Sequence, residues 1–423
     1  MEKSPEQQLP RTWIAPFFTI WTGQAFSMLG SRLAQFALVW WLTKETGSAV
    51  VLTSATMVAL LPGVFLGPFV GALVDRWSRR YIMIVADGLI ALAAMWLVYL
   101  FWSGTMQVWH VYVIVLIRAI GEAFHWPAMA ASTSLMVPRQ HLSRVQGLNQ
   151  TLQGLLSIAA PPLGALLYEL LPLHGIMAID VLTALLAILP LLFVAIPQPR
   201  RAEGAPGEGL PSLWADVRAG LRYIWGWPGL LAILIMATLI NFLLTPAFSL
   251  LPLLIEKHFQ REALDLGLLQ AIFGIGIVAG GLVLSVWGGF RRRILTTLVG
   301  LIGIGLGNLL MGLAPASAFG LAVAGGFVVG FMQPICNGPL LATVQASVAP
   351  ELQGRVFTVI NSLVTAMSPL GLAIAGPVVD ALGTQVWFLL GGVACVLMGV
   401  GSFFVPAIVH LEAGRDIVVD GTG

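Results

Sequence analysis

Gly71-Ala-Leu-Val-Asp75-Arg76-Trp77-Ser78-Arg79-Arg80 is the stretch that joins two long apolar runs, residues 50–73 and 81–103. It carries three arginines and one aspartate. Arginines in short loops are typical of the cytoplasmic side of a membrane protein. Gly71 predicts a close approach of two helices, and Asp75 can cap the following half-turn or pair with an arginine. The stretch predicts a cytoplasmic loop between two membrane spans. A plain positive stop after any span is the alternative interpretation.

The amino-acid composition is that of an integral membrane protein. Hydrophobic residues make up 58% and charged residues 9% of the 423 residues, and the mean hydropathy is +0.92. Soluble domains carry about 25% charged residues, so a soluble fold could not bury this much apolar surface. Cys336 and Cys395 fall in separate apolar runs and predict neither a disulfide nor a metal site. The polar segment 1–11 predicts no cleavable signal peptide.

Apolar runs of about 20 residues predict twelve membrane spans. They are residues 16–42, 50–73, 81–103, 108–136, 145–168, 175–196, 229–254, 264–288, 294–314, 317–347, 355–381 and 384–408. Sixteen of the 21 lysines and arginines then fall on the side that holds both termini, and only Lys44, Lys257 and Arg261 fall on the other. This bias predicts that both termini are cytoplasmic.

The chain divides near its middle, where a Pro- and Gly-rich charged linker is followed by apolar residues at helical spacing. We expect an N-terminal six-helix half, 1–197; a cytoplasmic linker with an amphipathic helix, 198–228; a C-terminal six-helix half, 229–408; and a cytoplasmic tail, 409–423. The halves resemble each other weakly. Gly281 and the arginines 291–293 repeat the first loop 210 residues later, with Ser285 in place of the aspartate.

The first loop resembles the loop-two motif of the major facilitator superfamily of transporters, with Ser78 in place of the last glycine of that motif. The resemblance covers nearly the whole chain. It implies an all-α integral membrane fold of twelve transmembrane helices in two six-helix halves, with a substrate site near the bilayer midplane. It also implies a cytoplasmic gate, in which Asp75 lies near the arginines of its own loop and the start of span eleven. The expected gate residues are Gly71, Asp75, Arg76, Arg79, Arg80, Arg144 and Arg355.

Ionisable residues inside the spans are candidates for ion coupling, since each costs about 2.5–3.5 kcal/mol to insert. Arg118, Glu122 and His125 are spaced i, i+4 and i+7 on one face of span four, and Arg32 lies at a similar depth in span one. Arg118-Ala-Ile-Gly121 resembles the span-four motif of the family's proton antiporters. We expect proton coupling at Glu122, assisted by the other three residues. The alternative is that Arg118 and Glu122 only neutralise each other.

Glu122 is singled out because the other acids, among them Asp87 and Asp180, are expected within about two turns of a membrane edge. Two arginines and one carboxylate would leave the midplane net positive, which suits an anionic or zwitterionic substrate. Polar residues at helical spacing on spans one, seven, ten and eleven predict a substrate cavity, although each could instead form an interhelical hydrogen bond. They are Gln24, Met28, Ser31, Gln35, Asn241, Thr245, Gln333, Asn337, Asn361 and Thr365.

The sequence shows no phosphate-binding loop, catalytic carboxylate pair or metal-ligand spacing, so we expect neither an enzyme nor a cofactor, and no nucleic acid as partner. The segments 30–41, 144–150 and 287–293 resemble the twelve-span drug-exporter branch of the superfamily, which includes macrolide-efflux proteins. This resemblance implies proton-coupled export of amphipathic small molecules by alternating access, from a monomer in the cell (inner) membrane. Siderophore exporters and lysophospholipid transporters or flippases of similar architecture remain alternatives.

Overall fold

The computed structural model describes residues 13–196, 218, 220–348, 350–409 and 411. All regular secondary structure in these ranges is helical. Twelve long helices follow one another along the chain. They are α1 (Ile14–Thr46), α2 (Ala49–Arg76), α3 (Arg79–Trp102), α4 (Val108–Met136), α5 (Leu142–Leu170), α6 (Leu173–Phe193), α7 (Pro228–Ser249), α8 (Ala263–Trp287), α9 (Arg293–Leu313), α10 (Phe319–Ser347), α11 (Pro350–Leu382) and α12 (Gln385–Ser402).

Eleven of the described helices are long and apolar enough to cross a membrane, and each coincides with one predicted span. The other long helix, α1, has 33 residues and is rich in polar side chains, among them Gln24, Arg32 and Gln35. The predicted all-α, twelve-helix organisation is confirmed.

Two predicted spans end five or six residues beyond the helix that forms them. Span seven was expected to reach residue 254, but α7 ends at Ser249 and is followed by the short helix Leu251–Leu253 and the π-helical turn Leu254–His258. Span twelve was expected to reach residue 408, but α12 ends at Ser402 and a separate turn covers Pro406–Val409. A proline lies within the first two residues of each short helix. Proline has no backbone N–H, so Pro252 and Pro406 cannot donate the hydrogen bond that would continue the preceding long helix.

The described chain forms two compact units. The first comprises residues within 1–41 and 58–203, and the second comprises those within 42–57 and 204–423. In the first unit, α3 packs against α4 and α6. In the second unit, α9 packs against α10 and α12, α8 packs against α10, and α7 packs against α11. The segment 42–57 therefore packs with the second unit, although the sequence places it in the N-terminal half.

Close backbone contacts between helices are prominent in the second unit. A Cβ atom on Gly330 of α10 would meet the backbone of Phe273, and one on Gly280 of α8 would meet the backbone of Phe331. Small residues allow such an approach of membrane helices, which gains dispersion contacts along both backbones.

Most of the predicted linker, residues 198–228, lies outside the described residues. Its described end, residues 220–225, is helical. Ile224 and Trp227 are buried there among apolar residues of α7 and α11, such as Leu230 and Val359. The apolar residues at this end of the segment therefore pack against the second unit.

Candidate functional site

A cavity of about 870 Å³ lies in the first unit, between α1, α3, α4 and α5. Seven residues predicted from the sequence line it: Gln24, Met28, Ser31, Arg32, Gln35, Glu122 and His125. Its size is typical of sites for drug-sized molecules. The structure thus brings together the predicted polar face of α1 and two of the three predicted residues of α4.

The third of these α4 residues, Arg118, forms a buried ion pair with Asp180 of α6. Its Nη1 atom lies 2.5 Å from Asp180 Oδ2, and Ser31 Oγ donates a hydrogen bond of 2.9 Å to Oδ1 of the same carboxylate. Asp180 is fully buried. A buried charge is tolerated only with such partners, because desolvation costs several kcal/mol per ion. The interpretation of Arg118 and Glu122 as a pair that only neutralises itself is therefore wrong.

A second polar cluster joins α1, α3 and α4 around Asp87. Gln24 Nε2 donates a hydrogen bond of 2.8 Å to Asp87 Oδ2, and His125 Nε2 lies 3.2 Å from Asp87 Oδ1. Asp87 is 4% exposed, so its carboxylate is held by partners from two neighbouring helices. His125 thus lies beside the buried carboxylate of Asp87.

Arg32 and Glu122 belong to neither of these two clusters. Arg32 Nη2 donates a hydrogen bond of 2.6 Å to Gln153 Oε1, and its Nη1 lies 3.5 Å from Ser157 Oγ. Both of these partners on α5 are neutral. Glu122 is exposed and lines the cavity. The carboxyl group of Glu122 is thus accessible from the cavity.

The count of charges derived from the sequence left out two buried carboxylates. Asp87 and Asp180 were expected within about two turns of a membrane edge, and they lie eight and seven residues after the first residue of their helices, which is about two turns. Both are nevertheless buried between helices. The residues that line the cavity now include one arginine, two carboxylates and one histidine. Their net charge is −1 with neutral His125 and zero with His125 protonated.

Sequence reasoning missed Asp87 and Asp180, although a signal was available. Asp180 is the one Asp, Glu, Lys or Arg of α6, and Asp87 is the one such residue of α3 after its first two arginines. A lone charge within an apolar helix implies a partner on another helix. Applying that rule regardless of the predicted depth would have found both residues.

A smaller cavity of about 290 Å³ lies in the second unit. Asn241, Thr245, Gln333 and Asn337 line it together with apolar side chains, and none of its described lining residues is Asp, Glu, Lys or Arg. Thr245 Oγ1 lies 3.1 Å from Ser368 Oγ. Two further predicted residues of α11, Asn361 and Thr365, are exposed and do not line this cavity.

The two arginines that end the first loop bind backbone carbonyls. Arg79 is buried, and its Nη1 donates a hydrogen bond of 3.1 Å to the carbonyl of Ala131 in α4. Arg80 Nε donates a hydrogen bond of 2.5 Å to the carbonyl of Leu191, and its Nη2 donates to that of Leu192. The last carbonyls of α6 have no partner within that helix, so Arg80 satisfies two of them.

Three other predicted gate residues, Gly71, Arg144 and Arg355, are exposed. No atom of the described chain lies within 4 Å of a Cβ built on Gly71, so the expected close approach of helices at this glycine is wrong: the residue faces open space. The side chains of Asp75 and Arg76 lie outside the described part of the structure.

A family model described as the Major Facilitator Superfamily matches residues 20–372 and, in a second match, residues 247–415. The chain belongs to the major facilitator superfamily. It is accordingly a multi-pass membrane transporter and not an enzyme.

Two groups of relatives are efflux proteins. The chain is 35% identical over 389 residues to macrolide efflux protein A of Streptococcus pyogenes, which covers 92% of this chain and 95% of the relative. It is 27% identical over 416 residues to the multidrug efflux pump Tap of Mycobacterium tuberculosis, covering 96% and 97%. Among solved structures, the nucleoside transporter NupG matches with a TM-score of 0.68 at 15% identity, covering 90% of this chain and 98% of that one. This last likeness shows the fold alone.

Proposed function

We propose that the protein exports amphipathic, drug-like molecules from the cell, including macrolides, in exchange for protons by alternating access. The relatives named macrolide efflux protein A and multidrug efflux pump Tap support the substrate class. The observation that carries the proposal is the cavity of the first unit, which is large, lined by polar side chains and rich in carboxylates.

The charge of this cavity favours a cationic substrate. Asp180 neutralises Arg118 outside the lining, and Arg32 is the one arginine that lines the cavity against Asp87 and Glu122. Many macrolides carry a tertiary amine on a sugar, which is protonated at neutral pH. The net positive midplane expected from the sequence argued against such a substrate, and the carboxylates Asp87 and Asp180 remove that objection.

We assign proton coupling to Glu122, with Arg118, Arg32 and His125 in supporting roles. Glu122 faces the cavity, where a proton and a substrate cation compete for one carboxylate. Arg118 forms an ion pair with Asp180, and His125 lies beside Asp87. Exchange of one proton for one substrate cation moves no net charge, so the pH difference drives it. Each pH unit supplies about 1.4 kcal/mol, enough for a substrate gradient of about tenfold if coupling is tight.

The remaining predicted parts belong to the same proposal. The first loop forms a cytoplasmic gate with Asp75, Arg76, Arg79 and Arg80, and both chain termini lie in the cytoplasm. Asp75→Asn then weakens transport, whereas Ser285→Ala at the matching position of the second loop leaves it nearly unchanged. We propose that a monomer in the cell membrane carries out the cycle.

Transport by inside-out membrane vesicles tests the proposal. An exporter moves substrate into the vesicle lumen, so an acidic lumen drives accumulation of radiolabelled erythromycin. We expect accumulation that requires the wild-type protein and disappears when a protonophore removes the gradient. Accumulation of a siderophore or a lysophospholipid, with none of erythromycin, would replace the proposed substrate class with one of these. No gradient-dependent transport of any probe would reject the coupling.

A further inference from the structure

Helix α5 presents a row of four amide side chains to the cavity of the first unit. Gln146, Asn149, Gln150 and Gln153 are spaced i, i+3, i+4 and i+7, so they share one face of the helix. All four line the cavity. The row extends over seven residues, about 10 Å along the helix axis.

Two of these amides are held with a defined orientation. Asn149 Oδ1 accepts a hydrogen bond of 2.7 Å from Trp21 Nε1, and Gln153 Oε1 accepts one of 2.6 Å from Arg32 Nη2. Indole and guanidinium groups only donate, so the amide oxygen must face them in each case. The NH₂ group of each amide is therefore left for another acceptor. Gln153 Nε2 lies 4.0 Å from Met28 Sδ, and a thioether sulfur is only a weak acceptor.

The other two amides are open to the cavity. Gln146 and Gln150 are exposed, and neither has a hydrogen-bond partner among the described residues. The row thus offers two donors of fixed direction and two side chains that can donate or accept, and it carries no net charge. Such a surface binds carbonyl, ether and hydroxyl oxygens, and it does so independently of the charge on the ligand.

We propose that the amide row of α5 is a specificity subsite for the uncharged, oxygen-rich part of the substrate. The inference rests on the proposed function and adds to it the chemistry by which the cavity selects substrates. A ligand meets all four amides only if its oxygens are spread over about 10 Å, as in a polyoxygenated macrocycle. An oxygen-free lipophilic cation gains nothing from the row, because it has no acceptor to offer.

The test compares two probes on purified protein. Erythromycin is a polyoxygenated macrocycle with one basic amine, and tetraphenylphosphonium is a lipophilic cation without oxygen. Equilibrium dialysis of the radiolabelled probes gives a Kd for the wild type, for the double variant Gln146→Leu/Gln150→Leu, and for Thr151→Leu. Thr151 is a matched control: it is exposed, polar and adjacent to Gln150, but it does not line the cavity.

We expect the double variant to bind erythromycin about tenfold more weakly. Its affinity for tetraphenylphosphonium should stay within about twofold of the wild type, as should both affinities of Thr151→Leu. Unchanged erythromycin binding by the double variant would overturn the inference, as would an equal weakening of both probes. Binding of neither probe by the wild type would instead reject the proposed function, and this inference with it.

Gln153→Glu keeps the test decisive if the double variant does not fold. Glutamate retains an acceptor for Arg32 but replaces the amide donor with a second oxygen. We expect the affinity for erythromycin to fall relative to that for tetraphenylphosphonium, which reports the effect of the added charge on a cation alone, at an unchanged melting temperature. An unchanged ratio of the two affinities in this variant would contradict the assigned donor role of Gln153.

Discussion

The cavities of the two units differ in chemistry as well as in size. The cavity of the first unit, about 870 Å³, is lined by an arginine, two carboxylates, a histidine and a row of amides. The cavity of the second unit, about 290 Å³, is lined by five neutral polar residues, Thr297 among them, and by apolar side chains. Charge inside a membrane protein is expensive and marks function. The comparison therefore supports our proposal that ion coupling belongs to the first unit.

The contacts that hold the helices together also differ between the two units. The first unit joins its helices through buried polar contacts such as Arg118–Asp180 and Gln24–Asp87. The second unit has more close backbone approaches, such as that of Gly330 to Phe273, than the first unit, where Gly23 approaches the backbone of Leu186. A polar contact is lost when one partner is removed, whereas a backbone contact is lost when any side chain is added. We therefore expect the first unit to be most sensitive to the loss of a polar side chain, and the second unit to be most sensitive to the addition of a side chain at a glycine.

The largest effect is expected at the buried ion pair of the first unit. Asp180→Leu leaves Arg118 charged and without its carboxylate, and should lower stability by about 3–5 kcal/mol. The double variant Arg118→Leu/Asp180→Leu removes both charges and should recover most of that loss. Melting temperatures of the purified proteins measure both effects. A double variant as unstable as Asp180→Leu would contradict the idea that the unpaired charge of Arg118 causes the loss of stability.

In the second unit, the corresponding test adds a methyl group. Gly330→Ala places a Cβ against the backbone of Phe273, which cannot move alone, and should cost about 1–3 kcal/mol. Gly320→Ala on the same helix meets no atom within 4 Å and should be nearly neutral. Thermal unfolding of the two variants checks the difference, and equal melting temperatures would show that this approach of helices is not tight.

Loss of an arginine should lower the stability differently in the loop before α3 and in the loop before α9, by a smaller amount than in the two tests above. Arg80→Leu removes hydrogen bonds to two carbonyls at the end of α6 and should cost about 1 kcal/mol, since the side chain is only partly buried. Arg293 at the start of α9 is exposed, so Arg293→Leu should change stability by less than about 0.5 kcal/mol. Chemical denaturation of both variants in detergent measures the two losses, which should be clearly unequal.

The smallest effect concerns the polar residues of the second cavity. Thr245→Val removes the contact with Ser368 Oγ at 3.1 Å, and such interhelical hydrogen bonds contribute about 0.6 kcal/mol on average. We expect a slightly lower melting temperature and export of erythromycin at close to the wild-type rate. A large loss of transport at normal stability would assign a direct role to the second cavity.

The sequence predicted the helices well, because each apolar run is about as long as a bilayer is thick and ends at charge or proline. It also predicted most of the polar face of α1 that lines the cavity, since helical spacing determines which residues share a face. The partners of the charges could not be predicted in this way. Whether Arg118 reaches Glu122 on its own helix or Asp180 on α6 depends on how the helices pack, and spacing along one helix carries no information about that.

Glu122→Gln tests the central claim most directly, namely that the carboxylate in the cavity of the first unit couples protons to transport. In inside-out vesicles with an acidic lumen, the wild type should concentrate erythromycin, whereas Glu122→Gln should bind it and let it equilibrate without concentrating it. Glu169→Gln is the control, since Glu169 lies on α5, is exposed and does not line the cavity; it should behave as the wild type. A Glu122→Gln variant that still concentrates erythromycin in proportion to the pH gradient would contradict the account.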